Sequence, residues 1–168
     1  MQTPTWALTL AYWVHMQATV VWIGGLAILS IVVIPAARKA LDDNPYAALL
    51  DALQRKLDPL AWFSAALLLG SGMLQMSASP HYDGFLAINS SWAGAMLIKH
   101  LVFGLMVAFS AAFTWGILPA LRRAAIKQAR GRSTPEMGQL RRRERLLLQV
   151  NLVLGVIVLA LTAFARAV

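Results

Sequence analysis

The sequence predicts an all-α fold, a bundle of four transmembrane helices with both termini on the outer, periplasmic side. Three observations lead there. Of the 168 residues, 59% are hydrophobic and 13% charged, and the mean hydropathy of +0.63 exceeds what a soluble domain of this size carries. The apolar residues fall into four long blocks rather than amphipathic stripes, each near the roughly 20 residues a helix needs to cross about 30 Å of hydrocarbon. The basic residues alternate between the connections, as they do when Lys and Arg set the orientation of a multi-pass chain.

The four blocks run from about Trp6 to Ile34, Pro59 to Ser77, Trp92 to Leu118 and Leu146 to Phe164. The first has no basic stretch before it and meets Pro35 and Arg38-Lys39 where a leader would have a small-residue cleavage site, so it reads as a retained helix. The connection "RKALDDNPYAALLDALQRKLDP" starts a helix near Asn44-Pro45, and Leu49, Leu50 and Leu53 continue it at helical spacing as a cytoplasmic extension of helix two. In the connection after helix three, "STPE" offers a cap, an early proline and an acidic first turn, so helix four is expected to begin well before the membrane. The link "SASPHYDGFLAINSS" between helices two and three has turn chemistry around a short apolar patch.

Nine of the fifteen Lys and Arg lie between Arg122 and Arg145, and Arg38, Lys39, Arg55 and Lys56 lie between helices one and two. Both connections are therefore expected in the cytoplasm, with Arg166 the exception at the outer end. The formal charge of +8 belongs to membrane topology and anionic headgroups, not to nucleic acid. With four spans and short connections, one integral domain covers residues 1–168, and a bacterial inner membrane is the expected location. Without cysteine there is no thiolate ligand. A Gly-rich phosphate loop, an HExxH motif and a nucleophile–base arrangement are also absent, and the spans hold no central carboxylate, which sets aside hydrolase, nucleotide and carboxylate-pump chemistry.

Polar side chains are costly inside a bilayer, so each one that stands there is a functional candidate facing the bundle interior. These are His15 and Gln17 in the first helix, Gln75 in the second, Lys99 and His100 in the third, and Asn151 in the fourth, with Glu144 and Gln149 at its cytoplasmic entry. Helical spacing sorts them into faces. His15, Thr19, Trp22 and Leu26 form one stripe; Trp92, Met96, Lys99, Phe103 and Met106 another; Glu144, Leu148, Asn151, Gly155 and Thr162 a third. At about 1.5 Å per residue, His15 lies roughly 15 Å below the outer surface and Lys99 and His100 roughly 10 to 12 Å below it. Met73, Gln75 and Met76 reach the same level from helix two. His, Lys and Met thus gather in the outer half.

A neutral imidazole ligates haem iron or copper, thioethers suit Cu(I), and a buried lysine serves as ligand, proton relay or anion partner. Plainer roles stand beside these: a hydrogen-bonding structural histidine, methionines as packing, and Gln75 reaching toward water. The glycines Gly24, Gly25, Gly70, Gly72, Gly94, Gly104 and Gly155 read mainly as points of close helix approach.

The stretch "HMQATVVWIGGLAILSIVVIPAAR" resembles the first helix of the copper resistance protein D (CopD) membrane domain, with a His, a Trp seven residues on, Gly-Gly, and a Pro before basic residues. In order, "RKLDPLAWFSAALLLGSGML" is similar to that family's second helix, "WAGAMLIKHLVFGLMVAFSA" to its Lys-bearing third, and "RRRERLLLQVNLVLGVIVLALTA" to its Glu-then-Gly fourth. The resemblance implies a four-helix module tied to copper tolerance or copper movement from the periplasm. Residue by residue it marks His15, Trp22, Gly24, Gly25 and Lys99, with Glu144 beside them, and it puts Ser71 where the family usually has Thr before the helix-two glycine, here Gly72. "WAGAMLIK" also shares its Trp and Lys with HemJ-type protoporphyrinogen oxidases, a resemblance that implies haem b.

The expected function is accordingly a CopD-like protein that binds or moves copper through an outer-half site. His15 is the leading ligand; His100, Met73, Met76 and Met96 assist; Lys99 tunes charge or relays protons. Trp22, Gly24, Gly25, Gly72, Asn151 and Gly155 are packing and motif positions. The alternatives are a haem b protein with His15 as axial ligand and a haem-linked redox role, or a structural subunit of a homo-oligomer or larger membrane complex. No catalytic residue is assigned.

Overall fold

A computed structural model describes residues 4–82, 84–86 and 88–167. Among these there is no strand, and four helices are long and apolar enough to cross a membrane: α1 (Thr5–Ala40), α2 (Asp43–Ser77), α3 (Ser91–Ala129) and α4 (Met137–Ala167). All four outrun the apolar blocks, because helix continues into polar sequence once the backbone bonds of the spanning part have nucleated it. α2 begins at Asp43 after an extended Asp42, giving the extension foreseen for this helix. α3 starts under a Ser90 cap whose side chain accepts from the Ala93 N–H at 3.1 Å. α4 starts later than the "STPE" signal suggests. Pro135 and Glu136 form a turn closed by the Met137 N–H donating to the Thr134 carbonyl at 3.1 Å, and the helix proper opens at Met137.

Two helices change pitch at matching points. α1 widens into a π-helical turn over Ile28–Val33 just before Ile34-Pro35, and α3 does so over Ala112–Ile117 just before Leu118-Pro119. The cause is local. Each proline lacks an N–H and its ring crowds the carbonyl four residues back, so the preceding residue takes a partner five back instead: Ile34 donates to Leu29 and Leu118 to Phe113. A π turn inserts one residue and rotates everything after it by about 100° relative to an unbroken helix.

With alternating spans, both termini and the α2–α3 connection share one end of the bundle, the terminal end; the two basic connections share the other. Buried side chains form three layers along the axis. Leu29, Ile34, Tyr46, Leu50, Phe113, Leu121 and Leu148 fill the basic end. Trp22, Leu68 and Met106 occupy the middle with Ala18 and Ala65. Met76, Trp92 and three alanines close the terminal end. Large apolar side chains such as Trp6, Trp13, Val20, Ile31, Phe63 and Leu101 point outward, the arrangement of a bundle solvated by hydrocarbon. Trp115, whose indole lies parallel to that of Trp62 with centroids 5.2 Å apart, is also exposed.

Candidate functional site

The four helices do not close fully in the terminal half. They leave a cavity of about 560 Å³ lined by His15, Thr19 and Trp22 from α1, Gly72, Gln75 and Met76 from α2, Met96, Lys99, His100, Phe103 and Met106 from α3, and Thr162 and Arg166 from α4. The stripes inferred for helices one and three therefore face one space, and His15, Lys99 and His100 meet there.

Hydrogen bonds set the chemistry of both imidazoles. The Ser71 hydroxyl donates to the Leu67 carbonyl one turn back, so toward His15 Nδ1, 2.9 Å away, Ser71 Oγ can only accept. His15 is thereby held as the Nδ1–H tautomer with the lone pair on Nε2. His100 Nδ1 lies 2.7 Å from the Met96 carbonyl, which cannot donate, and the same tautomer follows. In its neutral form each of these two imidazoles therefore has its lone pair on Nε2, with Nδ1–H tied to an oxygen as it is in protein-bound metal sites. Gly72 makes room for the first: a Cβ there would stand 3.3 Å from His15 Cε1. Thr19 donates to the His15 carbonyl at 2.8 Å, and Phe85 meets His100 edge-on with centroids 5.2 Å apart. Gln75 donates to the Ala11 carbonyl at 3.1 Å, so it ties α2 to α1 instead of reaching for water.

Of the methionines proposed as ligands, Met76 and Met96 line the cavity; Met16 and Met106, not among those proposed, line it too. Met73 does not; it is 47% exposed on the outside of α2. Met106 reaches the cavity from the stripe that holds Lys99. No group of three or more His, Cys, Asp or Glu among the described residues could hold a metal ion. A metal here would rest on imidazole and thioether, the soft set suited to Cu(I).

Below the cavity, Trp22 packs edge-to-face on Phe103 with centroids 5.2 Å apart and separates it from a smaller space of about 80 Å³ bounded by Gly25, Asp58, Ser110, Thr114 and Asn151. Asn151 donates to Ser110 Oγ at 2.8 Å, while its Oδ1 is buried without a partner. The close approach expected at Gly24 and Gly25 is absent, since a Cβ at either meets nothing within 4 Å; Gly25 borders open space instead. Gly155 does serve as a contact point, with Met106 Cε at 3.4 Å and the Ile23 side chain at 3.7 Å from the position of a Cβ.

Glu144 belongs to neither cavity. It is fully buried at the basic end, where Arg38 Nη2 donates to Oε2 at 2.7 Å and the Tyr46 hydroxyl donates to Oε1. Arg38 Nη2 also donates to the Arg141 carbonyl at 2.8 Å, and Arg141 pairs with Asp43. Arg38 and Tyr46 are partners of Glu144 that sequence reasoning missed. Arg38 looks like any topology-setting cation, and Tyr46 follows a proline in a connection; only the unusual acid inside "RRRER" hints that a partner exists.

No curated protein and no solved structure matches the chain. The family model of copper resistance protein D matches residues 51–165, which takes in Lys99, His100 and Glu144 and leaves the first-helix motif, with His15, Trp22, Gly24 and Gly25, outside the matched stretch. That match covers well over half of the sequence, and the chain belongs to the CopD family.

Proposed function

We propose that this protein captures copper in the terminal-end cavity, with His15 and His100 as nitrogen ligands and Met76 and Met96 as thioether partners. The observation behind the reading is that both histidines line one cavity with Nδ1–H fixed by oxygen acceptors and Nε2 left as a lone pair. Family membership supplies the copper connection, and the soft donor set agrees with Cu(I). The basic connections support a cavity that opens to the periplasm of a bacterial inner membrane, so that copper is met on the outer side. Lys99 sits beside the histidines as the charge that tunes what they bind.

The test is metal analysis of purified protein loaded with Cu(I), together with X-ray absorption at the copper edge. Stoichiometric copper with nitrogen and sulfur scatterers, lost in His15→Ala and His100→Ala, is the expected result. Wild-type protein that takes up no copper, or His15→Ala protein that binds as tightly as wild type, ends the proposal.

One observation favours a second reading. A cavity of about 560 Å³ is far larger than a single ion needs, and His15 and His100, which line it, would be the residues to hold a haem b iron if one were bound. That reading expects a Soret band in protein purified from haem-replete cells, abolished in His15→Ala; a colourless preparation counts against it. A partner subunit that copurifies without metal or haem would point to a structural role in a larger complex.

A further inference from the structure

The charge of the same cavity does not suit a bare metal cation. Lys99 and Arg166 both line it, and among the described residues no carboxylate does. Of the seven acidic residues, Asp42, Asp43, Asp51, Asp58, Glu136 and Glu144 lie in the cytoplasmic-type connections or at the basic ends of the helices, and Asp83 lies outside the described residues. Arg166, exposed at the mouth, has its guanidinium carbon 5.0 Å from the centroid of the Tyr12 ring. Lys99 is deeper and makes neither a hydrogen bond nor an ion pair with any described residue. Lys99 and Arg166 thus bring two like charges to one cavity. An ammonium group in a membrane interior costs several kcal/mol unless something compensates it, and Cu(I) held by neutral imidazole and thioether would add a further positive charge instead of relieving it.

An occupant that carries negative charge resolves both difficulties and also accounts for the volume. We infer that the cavity takes an anionic organic carboxylate, as the co-ligand with which copper enters: Lys99 and Arg166 hold the carboxylates, and the histidines hold the metal. The inference rests on the copper reading for the metal half and stands without it for the anion half. Lys99 is the anchor because it is the deeper, half-buried partner; Arg166, exposed at the mouth, guides the anion inward and contributes less to affinity.

The experiment uses metal-free full-length protein in nanodiscs, with citrate as the probe and calorimetry as the readout. Saturable citrate binding is expected, weakened by about thirtyfold or more in Lys99→Gln and by at most about fivefold in Arg166→Gln. Arg132→Gln, in the opposite basic connection, leaves it unchanged. Failure of metal-free wild type to bind citrate at millimolar concentration overturns the inference, as does binding that Lys99→Gln leaves intact. Citrate binding that appears only in Asp83→Asn overturns it too, by showing that the chain supplies its own anion. Protein that binds citrate through Lys99 and never binds copper would retain the anion site and end the copper reading; protein that binds copper equally well with and without Lys99, and never citrate, would do the reverse.

Discussion

At the residue scale the site depends on a short relay from the Leu67 carbonyl through Ser71 to His15. The hydroxyl orients the imidazole and selects its tautomer, a role that in metal sites is typically worth 10- to 100-fold in affinity. Ser71→Ala is therefore expected to weaken Cu(I) binding by about that range, while Ser71→Thr, which keeps the hydroxyl, stays near wild type; competition with a chromophoric Cu(I) chelator measures both. Gly72 acts by absence. A methyl group 3.3 Å from His15 Cε1 forces the ring to shift by a few tenths of an ångström in a packed wall, and overpacking of this kind costs about 1–3 kcal/mol. Gly72→Ala should lower copper affinity without loss of the folded bundle, seen as retained gel-filtration behaviour with a raised apparent Kd. Gly24→Ala, where nothing lies within 4 Å, should do neither.

At the element scale the π turns decide which side chains meet at the basic end. Arg38 lies three residues after Pro35 and beyond the π turn over Ile28–Val33, so the extra residue sets the direction in which its guanidinium leaves the helix. Pro35→Ala restores an N–H and a better helix former, and on propensity alone it would stabilise α1. If the turn then relaxes to regular helix, Arg38 swings by about 100° and leaves Glu144. The expected outcome is a lower unfolding temperature in detergent, and a double variant with Arg38→Ala that loses less than the sum of the two, because both act through one contact. Strict additivity would show that the π turn and the ion pair are independent. Spacing announced the prolines but not the turns, because a proline inside an apolar helix can equally be absorbed by a kink.

At the scale of the whole molecule, the bundle has a different device at each end. The terminal end is held apart around a cavity with cationic and ligand-capable walls. The basic end is fastened by Glu144, fully buried between Arg38 of α1 and Tyr46 of α2. Lipid offers no hydrophobic drive between helices, so such polar contacts do much of the fastening. Glu144→Ala leaves Arg38, 13% exposed, without its charge partner, and removal of one member of a buried pair costs about 3–5 kcal/mol; a marked drop in thermal stability in detergent is expected, with copper uptake by surviving folded protein preserved. The orientation of the bundle is also open to measurement. The chain has no cysteine, so Ser133→Cys in the basic connection and Ser79→Cys in the opposite one report their sides by labelling with a membrane-impermeant maleimide. Labelling of Ser79→Cys alone in intact cells is expected, and the reverse pattern would invert the assignment.

Composition, block length and the face periodicity of His15, Lys99 and Asn151 were enough, without coordinates, for the four-helix membrane fold and the inward stripes, because hydrocarbon imposes one rule on every spanning residue and helical geometry converts spacing directly into direction; the family came from motif resemblance. What they leave open is which inward faces touch and which stand apart. His15 and His100 line one cavity, Met73 is turned away from it, Gly24 and Gly25 make no close contact, and Glu144 finds Arg38 and Tyr46 from two other helices. Those outcomes depend on helix rotation, on the π turns before Pro35 and Pro119, and on contacts between residues as far as 106 positions apart. The three-dimensional packing alone decides them, because a linear pattern records the face of one helix and not the distance to the next.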